Sequence, residues 1–307
     1  MKQTEITAVR KCMRELVREL GLMRRGTTGS TLSPLQCHVL LELREENLGV
    51  TELARRLRTE KSSMSRTLAN LEASGLVARF PDAHDKRGVL FSLTEFGEES
   101  VASLNVSVDQ FFSDAMSLLS DNELAGVKRS ALDFTRALAS ARKQRDMAVV
   151  IRPITSEDNQ AIAEVIRQSF RDNKIDHLEG VSLHDPQLSK LSEVYQGDQA
   201  GYWVAEIDSR VVGGVGIAQL QGADKPYCEM QKLYLDKAFT GLGIGRRLIA
   251  LSIEKAREMG YQYCYLETLE ELSSAVSLYE DFGFELLAES LGDTGHNSCE
   301  IRMLKTL

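Results

Sequence analysis

Two domains are what this sequence predicts: a mostly helical one carrying a β-hairpin, then an α+β domain with a mixed central sheet. Three observations lead there. The chain has 307 residues, about twice a typical domain. Apolar residues recur at three- and four-residue steps through most of the first half, then give way to short β-type runs alternating with helices. Charge divides at the same place, with 22 Lys and Arg against 20 Asp and Glu in residues 1–146, and 15 against 25 in residues 147–307. We therefore set the expected domains at 1–146 and 147–307.

With 43% hydrophobic residues, 27% charged and only 5 prolines, the composition excludes collagen-like, mucin-like and disordered classes. The longest apolar stretches, such as Val39 to Leu41 and Met147 to Ile151, fall far short of the ~20 residues of a membrane span. No membrane partner is expected. MKQTEITAVRKCMREL at the start has no apolar signal core, so a cytoplasmic location is expected. The five cysteines are scattered, without CxxC or His/Cys metal spacing, and predict reduced thiols and no metal.

The first half is taken in chain order. Ile6, Val9, Met13, Leu16, Val17, Leu20 and Met23 mark one amphipathic helix. Ser33, with Pro34 behind it, starts a second helix whose stripe is Leu35, Val39, Leu40 and Leu43. Thr51 is a candidate cap for a short third helix, and Thr59 for a fourth in which Met64, Leu68 and Leu71 form the apolar face before Gly75 stops it. LVARF and VLFSL, on either side of PDAHDKRG, read as a hairpin. The order helix, tight turn, helix, hairpin is a winged helix-turn-helix. Opposite its apolar stripe the fourth helix carries Ser62, Ser63, Ser65, Arg66 and Asn70, donors suited to base edges and phosphates in a major groove. Arg87 at the hairpin tip suits a minor groove, with Asp85 to steady it. Between Val50 and Leu93 eight basic residues face five acidic ones, a modest basic patch. His38 and His84 receive no role.

The run TELARRLRTEKSSMSRTLANLEASGLVARFPDAHDKRGVLFSLTEFG resembles the MarR family of winged-helix regulators, including its Asp85-Lys86-Arg87 wing and the Leu93-Thr94 entry to the next helix. The resemblance implies binding to pseudo-palindromic double-stranded DNA by a homodimer. Helix one and the helical stretch from Thr94 to about Arg145 would build that dimer, with Val101, Leu104, Val108, Phe111, Phe112, Leu118 and Leu119 available to bury.

ASARKQRDMAVVIRPIT passes straight from a charged helix end into a strand, so the join lies near residues 143–148. Strand AVVIRP, helix DNQAIAEVIRQSF, strands YWVAEID, VVGGVGIAQL and CEMQKLYLD, helix GRRLIALSIEKAREMG, strand YCYLET, helix SAVSLYEDFG and a final strand in GHNSCEIRM follow in turn. After strand CEMQKLYLD, at the start of its helix, stand Gly241, Gly243 and Gly245, so exposed amides at the helix start form an anion site suited to a pyrophosphate. No Lys-[Ser/Thr] follows as a Walker loop requires, and no βαβ unit opens with the glycines as in a dinucleotide fold.

From about Val149 to Leu304 the chain resembles the GNAT acetyltransferase superfamily. Its phosphate-loop pattern falls on Thr240, Gly241, Leu242, Gly243, Ile244 and Gly245, continuing to Arg246, and its A-x-x-x-Tyr-x-x-x-Gly-Phe pattern on Ala275, Tyr279, Gly283 and Phe284. Thr240 stands where Gln or Arg is usual, and Leu272 where many members have Asn. The resemblance implies acetyl-CoA as donor substrate, and a splayed strand through Leu233, Tyr234 and Leu235 offering backbone groups to the pantetheine arm. It implies direct attack by a neutral amine, from a small molecule or a lysine, within a ternary complex. Glu229 is then the first candidate base and Glu267 the second, Tyr279 serves the leaving thiolate, and amides near Leu233 polarise the thioester. Cys228 reads as buried filler, since no His partner is evident. His296 is a candidate wall of the acceptor site, and the acidic second half favours a cationic acceptor. The whole reads as a bifunctional regulator and N-acetyltransferase. A regulator whose second domain only senses acetyl-CoA or a metabolite is the alternative, with Thr240 as its support.

Overall fold

A computed structural model describes residues 3–22, 31–82, 88–178, 181, 183, 185–223, 226–294 and 299–307. The chain divides into two compact units, Met1–Lys128 and Arg129–Leu307.

The first unit contains α1 (Gln3–Glu19), α2 (Pro34–Glu45), β1 (Leu48–Gly49), α3 (Val50–Arg56), α4 (Lys61–Ala73), β2 (Val77–Pro81), β3 (Val89–Leu93) and α5 (Glu95–Met116). The three strands form an antiparallel sheet in the order β1-β3-β2. Ser33 and Gln36 close a capping box around Pro34, which fixes where α2 begins. Gly75 at φ +72° ends α4 in the left-handed conformation that a Cβ would resist. Met64, Leu68 and Leu71 are buried with Val39, Leu40, Leu53 and Phe91. Burying that stripe turns the opposite face of α4 outward.

Two expected caps do not form. The N-cap of α3 is Gly49, which leaves Thr51 inside the helix. Arg58 at φ +55° delays the start of α4, so its N-cap is Glu60 and the buried hydroxyl of Thr59 has no hydrogen-bond partner among the described residues. Thr94 does cap α5, accepting from the Gly97 amide at 3.0 Å while donating to the Gly75 carbonyl at 2.6 Å. The helical stretch expected from Thr94 is two helices, α5 and α6 (Asp121–Asp146), parted where Ser120 and Glu123 cap the second. Val101 and Leu104 are buried, whereas Phe111, Phe112, Leu118 and Leu119 on α5 and the turn after it are exposed, as are Val9, Met13, Leu16 and Val17 on α1.

Helix α6 ends within the second unit. There follow β4 (Val150–Pro153), α7 (Asn159–Asp172), α8 (Leu191–Val194), β5 (Gly201–Ile207), β6 (Arg210–Gln219), β7 (Tyr227–Leu235), α9 (Ile244–Glu258), β8 (Tyr263–Thr268), α10 (Ser273–Asp281), β9 (Glu285–Leu286) and β10 (Ile301–Thr306). The sheet order is β4-β5-β6-β7-β8-β10-β9. Every neighbouring pair is antiparallel except β7 and β8, which makes the sheet mixed. Tyr202 and Val204 pack with Ile162, Ile166 and Phe170 of α7, while Trp203 and Ala205 pack with Leu248, Ile249 and Ile253 of α9. Alternate strand residues point to opposite faces, so the two helices cover the two sides of one sheet.

Two irregularities open the sheet. Gly214 pairs with Tyr234 but Gly216 pairs with Gln231, so one β6 residue faces both Lys232 and Leu233 in a bulge. Lys232 takes φ +50° there. On the other side β7 pairs with β8 only from Tyr227 to Glu229, although β8 runs on to Thr268. Beyond Glu229 the two strands diverge.

Candidate functional site

The cleft between the diverging strands is where the candidate residues gather. It is lined by Glu229, Leu233, Tyr234, Glu267 and Tyr279 among others. The strand divergence explains how they meet: Glu229 ends the paired part of β7, Glu267 lies two residues past its partner Tyr265, and Tyr279 comes in from α10.

Glu229 is 2% exposed. Burial and the nearby charge of Glu267 push its carboxyl up to about 7, against the lowering pull of a hydrogen bond from Gln231 and of the Lys232 ammonium. That bond runs from Gln231 Nε2 to Glu229 Oε2 at 2.6 Å, and Gln231 Oε1 accepts from the Tyr195 hydroxyl at 2.7 Å. The Tyr195 ring fits because residue 216 is glycine, where a Cβ would lie 2.6 Å from it. Glu267 accepts from the Tyr265 hydroxyl at 2.6 Å and from Thr294 at 2.6 Å, so both its oxygens are engaged. Of the two carboxylates, Glu229 is the one placed to exchange a proton near neutral pH.

Tyr279 is buried, with its ring edge-on to Phe284 at 5.8 Å. Among the described residues its hydroxyl has no hydrogen-bond partner, and burial holds the phenol protonated well beyond its ordinary range. Cys228 is fully buried, its thiol donating to the Tyr263 carbonyl at 3.3 Å. Cys299 also lines the cleft, and burial pushes its thiol up to about 12. Cys228 is buried filler and Cys299 a wall of the cleft.

The glycine turn lies between β7 and α9. Gly241 and Gly243 take φ +71° and +79°, and a Cβ at Gly241 would meet nothing within 4 Å. The first amide to bond back is that of Arg247, to the Gly243 carbonyl. From Gly241 through Leu242, Gly243, Ile244 and Gly245 to Arg246, no amide has an acceptor among the described residues. A row of free donors at a helix start fits a diphosphate. The Thr240 hydroxyl is turned back to the Lys237 carbonyl at 2.8 Å, and Arg246 pairs with Asp281 at 2.6 Å while lying over the Phe282 ring.

Sequence reasoning missed the supports of this site. Lys232 pairs with Asp185 at 2.9 Å, and the Tyr202 hydroxyl donates to the Lys232 carbonyl at 3.0 Å, which together hold the bulge. Neither partner lies near Lys232 in the chain; only the glycines of β6, which leave room for tyrosine rings, carried a trace of it.

In the first unit Ser62, Ser65, Arg66 and Asn70 are exposed on α4, and Ser63 is half-buried. Among the described residues Arg66 makes only a long bond, to the Ser62 carbonyl at 3.4 Å. Arg87 and Asp85, like His84 and His296, lie outside the described residues. The basic patch is smaller than its count suggested, because Arg56 is bound by Glu42, Glu46 and Glu52, Arg55 by Glu52, and Arg79 by Glu72.

A winged helix with an exposed face on α4, and an α+β fold with a glycine turn whose amides have no acceptor among the described residues, are the classes these features define. The acetyltransferase (GNAT) family pattern matches residues 160–284, and the MarR family pattern residues 30–88. The chain is 45% identical over 158 residues to the uncharacterized N-acetyltransferase YjgM of Escherichia coli (strain K12), covering 52% of this chain and 95% of that one. It thus belongs to the GNAT acetyltransferase family, and carries a MarR-type winged helix ahead of the enzyme domain. Further curated N-acetyltransferases match over less than half of their own length. Among solved structures, a GNAT-family acetyltransferase from Staphylococcus aureus Mu50 has a TM-score of 0.46 at 20% identity, over 52% of this chain and 98% of its own. The regulator BldR from Sulfolobus solfataricus has a TM-score of 0.35 at 24% identity, over 43% and 99%. No helix of the described residues is long and apolar enough to cross a membrane.

Proposed function

We propose that the second domain, 147–307, transfers an acetyl group from acetyl-CoA to an amine, on a small molecule or a lysine, while the first, 1–146, binds a pseudo-palindromic DNA operator as a homodimer. One observation carries the enzymatic half: a buried carboxylate near neutral pKa and a protonated phenol share one cleft, next to a turn of unpaired amides. Acetyl-CoA brings an activated acyl carbon. The amides from Gly241 to Arg246 would hold its diphosphate, and Leu233, Tyr234 and Leu235 would align its pantetheine arm along the part of β7 that diverges from β8. Glu229 takes one proton from the incoming ammonium, the amine nitrogen bonds to the acyl carbon as the carbon–sulfur bond breaks, Tyr279 donates to the departing sulfur, and the second proton that the nitrogen sheds on becoming an amide restores the phenol. Burial, with a smaller contribution from the charge of Glu267, keeps Glu229 basic, while Glu267 is engaged by Tyr265 and Thr294.

Purified protein incubated with acetyl-CoA and an amine panel should release free thiol in step with acetylated amine. Coenzyme binding without thiol release on any amine, including a lysine-bearing peptide, would leave the sensor reading in its place.

For the first domain, Arg66 is the residue whose role is easiest to isolate, because it is exposed and among the described residues makes only the long bond to Ser62. Arg66→Ala should keep the melting temperature and weaken operator binding roughly tenfold, as for one lost base or phosphate contact. Fluorescence anisotropy across a salt series checks it; unchanged affinity removes α4 from the interface.

A further inference from the structure

Helix α6 ends against the glycine turn of the enzyme domain. Gln144, 6% exposed, donates from Nε2 to the Leu242 carbonyl at 2.8 Å and accepts at Oε1 from Arg247 Nη1 at 2.7 Å. The same guanidinium reaches the Val149 carbonyl at 3.4 Å, so the side-chain amide is fixed at both ends. Ser140, one helical turn earlier, completes the contact: a Cβ on Gly243 would come within 3.0 Å of Ser140 and 3.1 Å of Gln144. Gln144 lies outside both matched segments, 30–88 and 160–284.

The chemistry of one peptide unit gives this contact a consequence. The Leu242 carbonyl and the Gly243 N–H belong to the same planar trans amide, so they point in opposite directions. Holding the carbonyl toward α6 holds the N–H away from it. That N–H is among the amides with no acceptor in the described residues. Gly243, whose φ is one of the two torsions that turn this peptide, has no Cβ to oppose a flip, so the bond from Gln144 is what fixes its direction. A free N–H aimed by a buried side chain is a preorganised donor, and preorganisation shows up as affinity.

We propose that Gln144 is a positioning residue for the coenzyme: from the end of α6 it orients the Leu242–Gly243 peptide so that its N–H faces the diphosphate. This rests on the acetyl-CoA reading above. Gln144 touches neither reacting atom, so its effect falls on coenzyme binding and not on the chemical step.

The test uses the full chain with Gln144→Met, which keeps the length of the side chain and removes both hydrogen bonds. Should that variant not fold, Gln144→Ser replaces it. Coenzyme A affinity is measured by calorimetry, and steady-state kinetics are run with acetyl-CoA varied at saturating amine. The coenzyme Kd and the KM for acetyl-CoA should both rise about tenfold, with kcat at saturation within about twofold of wild type. Unchanged Kd and KM would overturn the proposal, as would a fall in kcat at constant KM. A wild-type chain that binds no coenzyme A would instead remove the coenzyme reading, and this one with it.

Discussion

Glu229→Gln should lower kcat for amine acetylation by roughly 10²- to 10³-fold, the range lost when a positioned general base is removed. The substitution keeps the shape of the side chain and an oxygen to accept from Gln231, so the cleft around it should survive. Its pH signature is the sharper test. Acting as a base, Glu229 must be ionised, so wild-type activity should rise with pH through about 7, and the variant should lose that rise. The linked effect on stability has the opposite sign to that of most carboxylates. A folded pKa raised from 4.5 to about 7 means the native state keeps a proton that the unfolded chain releases. Its contribution is complete below pH 4.5, declines as pH rises, and is gone above about 7. Above that point Glu229→Gln should be more stable than wild type, by roughly 3 kcal/mol at 1.36 kcal/mol per pKa unit. Denaturant titrations at pH 5 and pH 8.5 check this. A variant that is less stable at both, with an unaltered pH–rate profile, would show that Glu229 holds the fold rather than moving a proton.

Tyr279→Phe separates a catalytic phenol from a core aromatic. The ring contact with Phe284 does not involve the hydroxyl, which has no partner among the described residues, so the melting temperature should stay within about a degree or rise. If the hydroxyl serves the departing sulfur, kcat should fall roughly 10- to 100-fold while the acetyl-CoA KM stays within about twofold. The loss should shrink with thioesters whose thiol is more acidic, since such a sulfur leaves without a proton. A kcat equal to wild type would return Tyr279 to the apolar core.

Much of this was legible in the residues because the governing interactions are local. The Met64, Leu68 and Leu71 stripe is buried, and Gly75 and Gly243 sit at the left-handed backbone that only glycine adopts freely. The strand before Gly241 does diverge from its neighbour, though the sequence alone showed no reason for it. Other features depend on residues far apart in the chain. Thr59 has the chemistry of a cap, but the left-handed turn at Arg58 moved the helix start past it. Arg55, Arg56 and Arg79 counted toward a basic patch until acids from neighbouring turns and α2 proved to bind them. Glu229 stands ahead of Glu267 as candidate base in the sequence, but the surroundings of each are not legible there. What distinguishes them is a Tyr195–Gln231 relay on one and Tyr265 with Thr294 on the other. Gln144 lay in a charged helix end read only as a join.

The bulge at Lys232 bears on how a flexible thioester arm gets in. Because two residues of β7 stand against one of β6, the outer half of the strand is out of step with β8, and closing that gap would require shifting a register fixed on its other side from Leu235 to Cys228. The Lys232–Asp185 pair and the Tyr202 hydroxyl lock the offset in place. The slot is therefore wedged open when the chain folds, and an entering molecule has no strands to prise apart.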